Sequence, residues 1–280
     1  MQATDSGKMI SRPTMTTSGF TLLELAVVIV LVALIAGAIL VGTDLILAAR
    51  MRGIVSQLRQ FDVAVFAFRD KYRGLPGDFA AAQDLGLATS GCPDVYGPGT
   101  GSTCMQAAIQ EAGCSGNGNG ILDNGFGASG ALNCPENLSF WYHLSRAGLI
   151  GFSADGKSVS TQSATGTPVF GKSAPATVFR DVGMMVVSGS LGLGPGSSGH
   201  NMYTLGLADR SEAYPNYTKS LRGAEAGSID EKLDDGTPSA GRIQVLIPML
   251  SLCAAGGRYD VLSQTTKCGL LINTDALGRQ

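Results

Sequence analysis

Apolar residues dominate the chain from Leu22 onward. From Leu25 to Thr43 nothing carries a charge, and these 19 positions are mostly Leu, Ile, Val and Ala. That length is about what one helix needs to cross a bilayer. A secretory signal peptide is the other reading of such a run. Its apolar core is usually about 7–15 residues long, with basic residues before it. Here the run is longer and no basic residue abuts it, although Ala33, Ala36, Ala48 and Ala49 supply the small residues that a signal peptidase prefers.

Past the run the pattern changes to a period. Leu47, Met51, Ile54, Leu58, Phe61, Val65, Phe68 and Tyr72 follow one another at alternating steps of 4 and 3. Arg50, Arg52, Gln57, Arg59, Asp62, Arg69 and Asp70 fill positions between them. This spacing puts the apolar side chains on one face of a helix, and a coiled-coil seam is its generic alternative. No proline occurs between Phe20 and Leu75, so one continuous helix is predicted from Phe20 to about Tyr72. Gly37, Gly42 and Gly53 are its weak points, each costing up to about 1 kcal/mol relative to alanine. Pro76 and Gly77 end it. Asp78 is expected to cap a short helix over residues 79–85.

The remainder is more broken. Residues 89–130 are rich in Gly, Ser, Asn and Cys and read as a long loop region. Residues 137–151 read as a helix with Trp141, Leu144 and Leu149 turned inward. Strands are predicted at 177–188, 241–248, 258–262 and 268–273, where β-branched residues sit between Gly or Pro. A short helix is expected over 223–233, closed by Asp234-Asp235-Gly236. The fold class that follows is α+β: a long N-terminal helix packed on an antiparallel sheet.

Composition narrows the function. Net charge is −2 and charged residues make up 15%, which leaves no electrostatic footprint for nucleic acid. Cys92, Cys104, Cys114, Cys134, Cys253 and Cys268 form no CxxC, and His143 and His200 are the chain's two histidines. Metal-ligand spacing is therefore absent, and a disulfide framework in an oxidising compartment is the better reading. Spacing does not fix the pairing; the expectation is sequence neighbours, 92 with 104, 114 with 134 and 253 with 268. Lys8 and Arg12 before the apolar run nearly balance Arg50 and Arg52 after it, so charge does not orient it. The cysteines place the C-terminal part outside the cytoplasm.

Other signals point to chemistry less strongly. Residues 166–173, GTPVFGKS, match the phosphate-cradling pattern GxxxxGK[ST]. That pattern needs a strand before it and a helix after it, and neither is expected. Asn117, Asn119 and Asp123 are weak calcium candidates in a Gly-Asn turn, and Ala128 stands where a calcium loop would carry its glutamate. Asp230, Asp234 and Asp235 are a second weak oxygen cluster. His143 reads as a packing residue. Without GxSxG or HExxH, and with two histidines, no enzymatic activity and no cofactor are expected.

The carboxylate of Glu24 remains, placed just inside the apolar run. A first-turn glutamate offsets the helix dipole; an ionisable group within a membrane otherwise needs a partner. The stretch Gly19-Phe20-Thr21-Leu22-Leu23-Glu24 resembles the prepilin processing site of type IV pilins and type II secretion pseudopilins. The resemblance implies a cut between Gly19 and Phe20 by a prepilin peptidase/methyltransferase, which leaves Phe20 as an N-methylated first residue. It also implies four parts: a leader, 1–19; a transmembrane and assembly helix, 20–49; the amphipathic half of the same helix, 50–75; and a disulfide-stapled extracytoplasmic head, 76–280.

The partners it implies are the inner membrane and identical or related subunits, with Glu24 meeting the freed amine of a neighbour. The resulting role is a structural subunit of a type IV pilus-like filament. The alternatives are a type II secretion pseudopilin and a membrane-anchored extracytoplasmic binding protein. The Leu75-Pro76-Gly77-Asp78 segment after Tyr72, and Ile229-Asp230-Glu231-Lys232-Leu233-Asp234-Asp235-Gly236, also look like family segments. Many family members carry a proline in the apolar half of the helix, and this chain has none there.

Overall fold

The computed structural model describes residues 20–89, 113, 115–122, 136–156, 169–179, 182–188, 200–206, 220–265 and 267–278. Gly19, Cys92, Cys104, Cys114, Cys134 and Asp123 lie outside the described residues. The chain divides into two compact units, 1–46 and 47–280. Helix α1, Leu22–Tyr72, contains the boundary.

In the first unit, Leu22–Ile39 has a mean hydropathy of 2.9 and none of it is buried. It is one helix long and apolar enough to cross a membrane.

In the second unit, the 4-3 stripe becomes the spine of the core. Met51, Ile54, Leu58, Phe61, Val65 and Phe68 are buried, and Leu47 and Tyr72 pack against them half-covered. The stripe is thus spent inside the head rather than in a coiled-coil seam. Burying each large side chain contributes about 1.5–3 kcal/mol. Phe61 meets Trp141 edge-on with ring centroids 4.8 Å apart. Gly53 also faces a neighbour: a Cβ there would lie 3.0 Å from Val178, so this glycine serves close packing. The helix stops at Arg73, which turns to φ 56 while its N–H still reaches the Arg69 carbonyl at 2.9 Å. This left-handed residue ends the helix before Pro76 is reached.

Helix α2, Glu136–Arg146, buries Trp141 and Leu144 completely, and Leu149 is half-buried just beyond it. Helix α3, Gly223–Leu233, matches its predicted bounds. The main sheet holds β1 (Met184–Ser188), β2 (Asn201–Leu205), β3 (Ile243–Val245) and β6 (Leu270–Ile272), antiparallel in the order β1-β2-β6-β3. Register is set by Val186 opposite Tyr203, and by Ile272 between Tyr203 and Ile243. Helix α4 (Leu250–Cys253) leads into a separate ribbon of β4 (Ala254–Ala255) and β5 (Arg258–Tyr259). Cys253 and Cys268 form a disulfide with Cα atoms 5.1 Å apart.

Three strand expectations need correcting, and one strand was not foreseen. The stretch 241–248 forms a strand over Ile243–Val245 and passes into a 3-10 helix at Ile247–Met249, where Pro248 can donate no ladder hydrogen bond. Among the described residues of 177–188, the strand covers Met184–Ser188. The stretch 258–262 joins the ribbon, not the main sheet. β2 was not predicted: all five of its residues are buried, so polar Asn201 and Thr204 interrupt the apolar alternation that marks a half-buried strand.

Candidate functional site

The N-terminal end of α1 is closed by Thr21 and Glu24. Glu24 Oε2 accepts the Thr21 backbone N–H at 2.9 Å and its hydroxyl at 3.1 Å. In return the Glu24 N–H donates to Thr21 Oγ1 at 3.2 Å. Thr-Leu-Leu-Glu is therefore a reciprocal capping box, satisfying two amides that a helix start leaves orphaned. Thr21 plays the N-cap because its oxygen is short enough to fold back on its own helix. Glu24 thus has a partner within its own chain, at the end of a helix whose Leu22, Leu23 and Leu25 are exposed. Phe20, next to the cap, is 91% exposed.

The Pro-Gly-Asp turn behaves differently from expectation. Residues 80–86 form turns, not the short helix predicted at 79–85. The Asp78 carboxylate is buried and holds a loop instead: Oδ1 accepts the N–H groups of Gly118 at 2.7 Å and Asn119 at 3.2 Å, and Oδ2 that of Gly120 at 2.6 Å. Gly77 donates its N–H to Nδ1 of the buried His143 at 2.9 Å. A Cβ on Gly77 would collide with the Glu136 carbonyl, and its φ of 87 is one that side chains avoid. Asn201, opening β2, accepts the Leu122 N–H at 2.8 Å and donates to the Gly120 carbonyl at 2.9 Å. One node thereby ties the end of α1, the Gly-Asn loop, α2 and the sheet together.

This geometry bears on the calcium candidates. Asn117 Oδ1 accepts the Asn119 N–H at 3.0 Å, and Asn119 Oδ1 accepts the Ile121 N–H at 2.7 Å. Both oxygens close local turns, and the loop's amides converge on an anion supplied by the protein itself. Asp78 and His143 escape a motif search because their partners are 40 and 66 residues away.

The acidic cluster is also built into the fold. Asp230, Asp234 and Asp235 each offer an oxygen within 4.8 Å of the others. Asp230 Oδ2 accepts the Tyr259 hydroxyl at 2.7 Å, and Oδ1 accepts the Gly236 N–H at 3.2 Å. Asp234 Oδ2 takes the N–H groups of Arg242 and Ile243, joining α3 to β3. Asp235 Oδ1 accepts the Thr237 N–H at 2.7 Å. Burial pushes the Asp230 carboxyl up to about 6, despite the Tyr259 hydroxyl, and pushes the Tyr259 phenol up as well. On α1, burial likewise raises Asp62, which accepts the Thr274 hydroxyl at 2.9 Å.

No family model, curated protein or solved structure matches this chain. The phosphate-loop match has no helix behind it: residues 169–174 make a turn closed by a bridge between Phe170 and Ala174. Among the described residues the sequence-predicted positions fall into separate places. Glu24 and Phe20 sit at the start of α1, the Asn pair around Asp78, and the disulfide beside the ribbon.

Proposed function

We propose that this chain is a structural subunit of a type IV pilus-like filament. A prepilin peptidase/methyltransferase cuts it between Gly19 and Phe20, and it assembles through the first half of α1. The observation that carries the reading is an uncovered apolar helix, Leu22–Ile39, opening on a carboxylate one turn from the predicted cut. So much exposed apolar surface needs lipid or other protein around it. Before assembly that cover is the inner membrane, with the disulfide-bonded head outside the cytoplasm. After assembly it is the helices of neighbouring subunits. Lipid and protein are equally apolar, so close packing and polar pairs decide between them.

Processing supplies the polar pair. The cut frees an amine on Phe20, and in a bundle of apolar helices Glu24 of an adjacent subunit can meet it. Removing one member of such a buried pair strands the other at a cost of about 3–5 kcal/mol. The charge thus sets register between subunits. A type II secretion pseudopilin would use the same chemistry in the periplasm, and a membrane-anchored binding protein would use the helix without the polymer.

The test is to replace Gly19 by Val and measure the intact mass of the membrane-extracted protein. Retention of residues 1–19 is expected. Trimming of the variant after residue 19 at the normal rate overturns the reading.

A further inference from the structure

The head carries a groove of about 870 Å³ along the solvent side of α1. One wall is a helical stripe, Arg52, Val55, Arg59 and Val63, at steps of 3, 4 and 4. It lies between the positions that enter the core, and Val63 is 68% exposed. Leu149 and Ile150, beyond α2, and Lys232 and Leu233, ending α3, build the other wall. The groove is therefore mixed: Val55, Val63, Leu149, Ile150 and Leu233 give it apolar patches, Ser56 and Gln60 interrupt them, and three cations line it. Among the described residues no carboxylate lines it, and Arg52, Arg59 and Lys232 have no ion-pair partner.

We infer that this groove docks an acidic amphipathic helix of a partner protein. The occupant must be apolar on one side, since valines and leucines alternate with the cations rather than sitting apart from them. It must be anionic, since an uncharged or basic segment would leave three cations facing an apolar contact without compensation. Residues 52–63 rise about 16 Å, close to three helical turns. Their 3-4-4 spacing, i, i+3, i+7, i+11, makes one continuous stripe along a helix face, long enough for a docked helix to lay its own i, i+3, i+4, i+7 anchors against it. A phosphate or sulfate would satisfy the cations and leave the apolar wall uncovered. The inference stands apart from the filament reading, because it concerns the head's surface and not the cut or the apolar helix.

The test uses the full chain in nanodiscs of zwitterionic lipid and three labelled helical peptides of 18 residues. All carry the same Leu stripe at i, i+3, i+4 spacing, with Glu, Gln or Lys at the flanking positions. Fluorescence anisotropy should show the Glu peptide binding at least tenfold tighter than the Gln peptide, and the Lys peptide weakest. The variant Arg52→Gln/Arg59→Gln/Lys232→Gln should lose that preference while Trp141 fluorescence reports an intact core. Val63→Ser should weaken the Glu peptide several-fold and keep the order of preference. Equal binding of all three peptides, or a preference that survives in the triple variant, overturns the inference. So does self-association of the full chain that the triple variant abolishes, since a second copy would then occupy the groove.

Discussion

Glu24 and Thr21 hold each other at the start of α1, with the carboxylate 2.9 Å from the Thr21 amide nitrogen. The same carboxylate is proposed to meet a neighbour's amine, so its two roles must be separated. Gln fills the last position of a capping box as Glu does, but carries no charge. Glu24→Gln should therefore keep α1 capped and still lose filament incorporation, to the same extent as Glu24→Val. Both variants should be trimmed at residue 19. Quantifying each variant in sheared filaments against the membrane pool checks this. If the Gln variant assembles normally while the Val variant fails, the carboxylate acts as a cap and not as an intersubunit partner.

Asp78 is predicted to be the costliest polar side chain to remove from the head. Its carboxylate serves three loop amides, and a buried amide left without an acceptor costs about 1–3 kcal/mol. Asp78→Ala should destabilise the head by on the order of 3 kcal/mol or more. Trp141, the chain's one tryptophan and fully buried, reports the transition by its fluorescence in urea. An unchanged midpoint would show that the node is dispensable.

The Cys253–Cys268 disulfide closes a loop with a sequence separation of 15. Chain entropy then gives about 3 kcal/mol of stabilisation. Cys253→Ser/Cys268→Ser should lower the urea midpoint accordingly. The main sheet should still form, because β6 keeps its pairing with β2 and β3 on both sides. Unchanged stability in the double variant contradicts this, and so does loss of all cooperative unfolding.

Asp230 gives the head a pH dependence. Its carboxyl rises from 3.8 to about 6 on folding, so the folded chain holds the proton more tightly than the unfolded one. The stability linked to that proton is fully present below about pH 4 and is lost as pH rises through about 6. A shift of this size sets an upper bound of about 3 kcal/mol, which solvent screening around the Asp234-Asp235 turn reduces. Asp62, raised by burial in the same direction, adds to the slope. The urea midpoint should fall between pH 4 and 7, and Asp230→Asn should flatten most of that fall. A midpoint that rises across the same interval would reverse the sign and refute it.

How much of this was legible depended on where each partner lay. The α1 stripe could be read because a helix places its core residues at a local period, and Met51 through Phe68 are buried as the period requires. Helix α3 could be read because the Asp234-Asp235-Gly236 turn that closes it is local, and Cys253–Cys268 because the two are neighbours among the cysteines. β2 could not, since both of its faces are covered and Asn201 serves a loop about 80 residues away. Asp78 looked like a local cap because Asp after Pro-Gly usually is one. The protein instead used it as the anion for a distant Gly-Asn loop, and sequence proximity carries no trace of that choice. The groove beside α1 was equally hidden: Arg52 and Arg59 read as solvated positions until Leu149 and Lys232 were seen opposite them.

The central claim is that a cut frees an amine on Phe20 to meet Glu24 of an adjacent subunit, and the mature N-terminus tests it most directly. Intact-mass and N-terminal peptide analysis of the protein purified from its native membrane should find a chain beginning at Phe20 with one methyl group on its amine. A chain that still carries residues 1–19, or one trimmed near Ala49, would contradict the account.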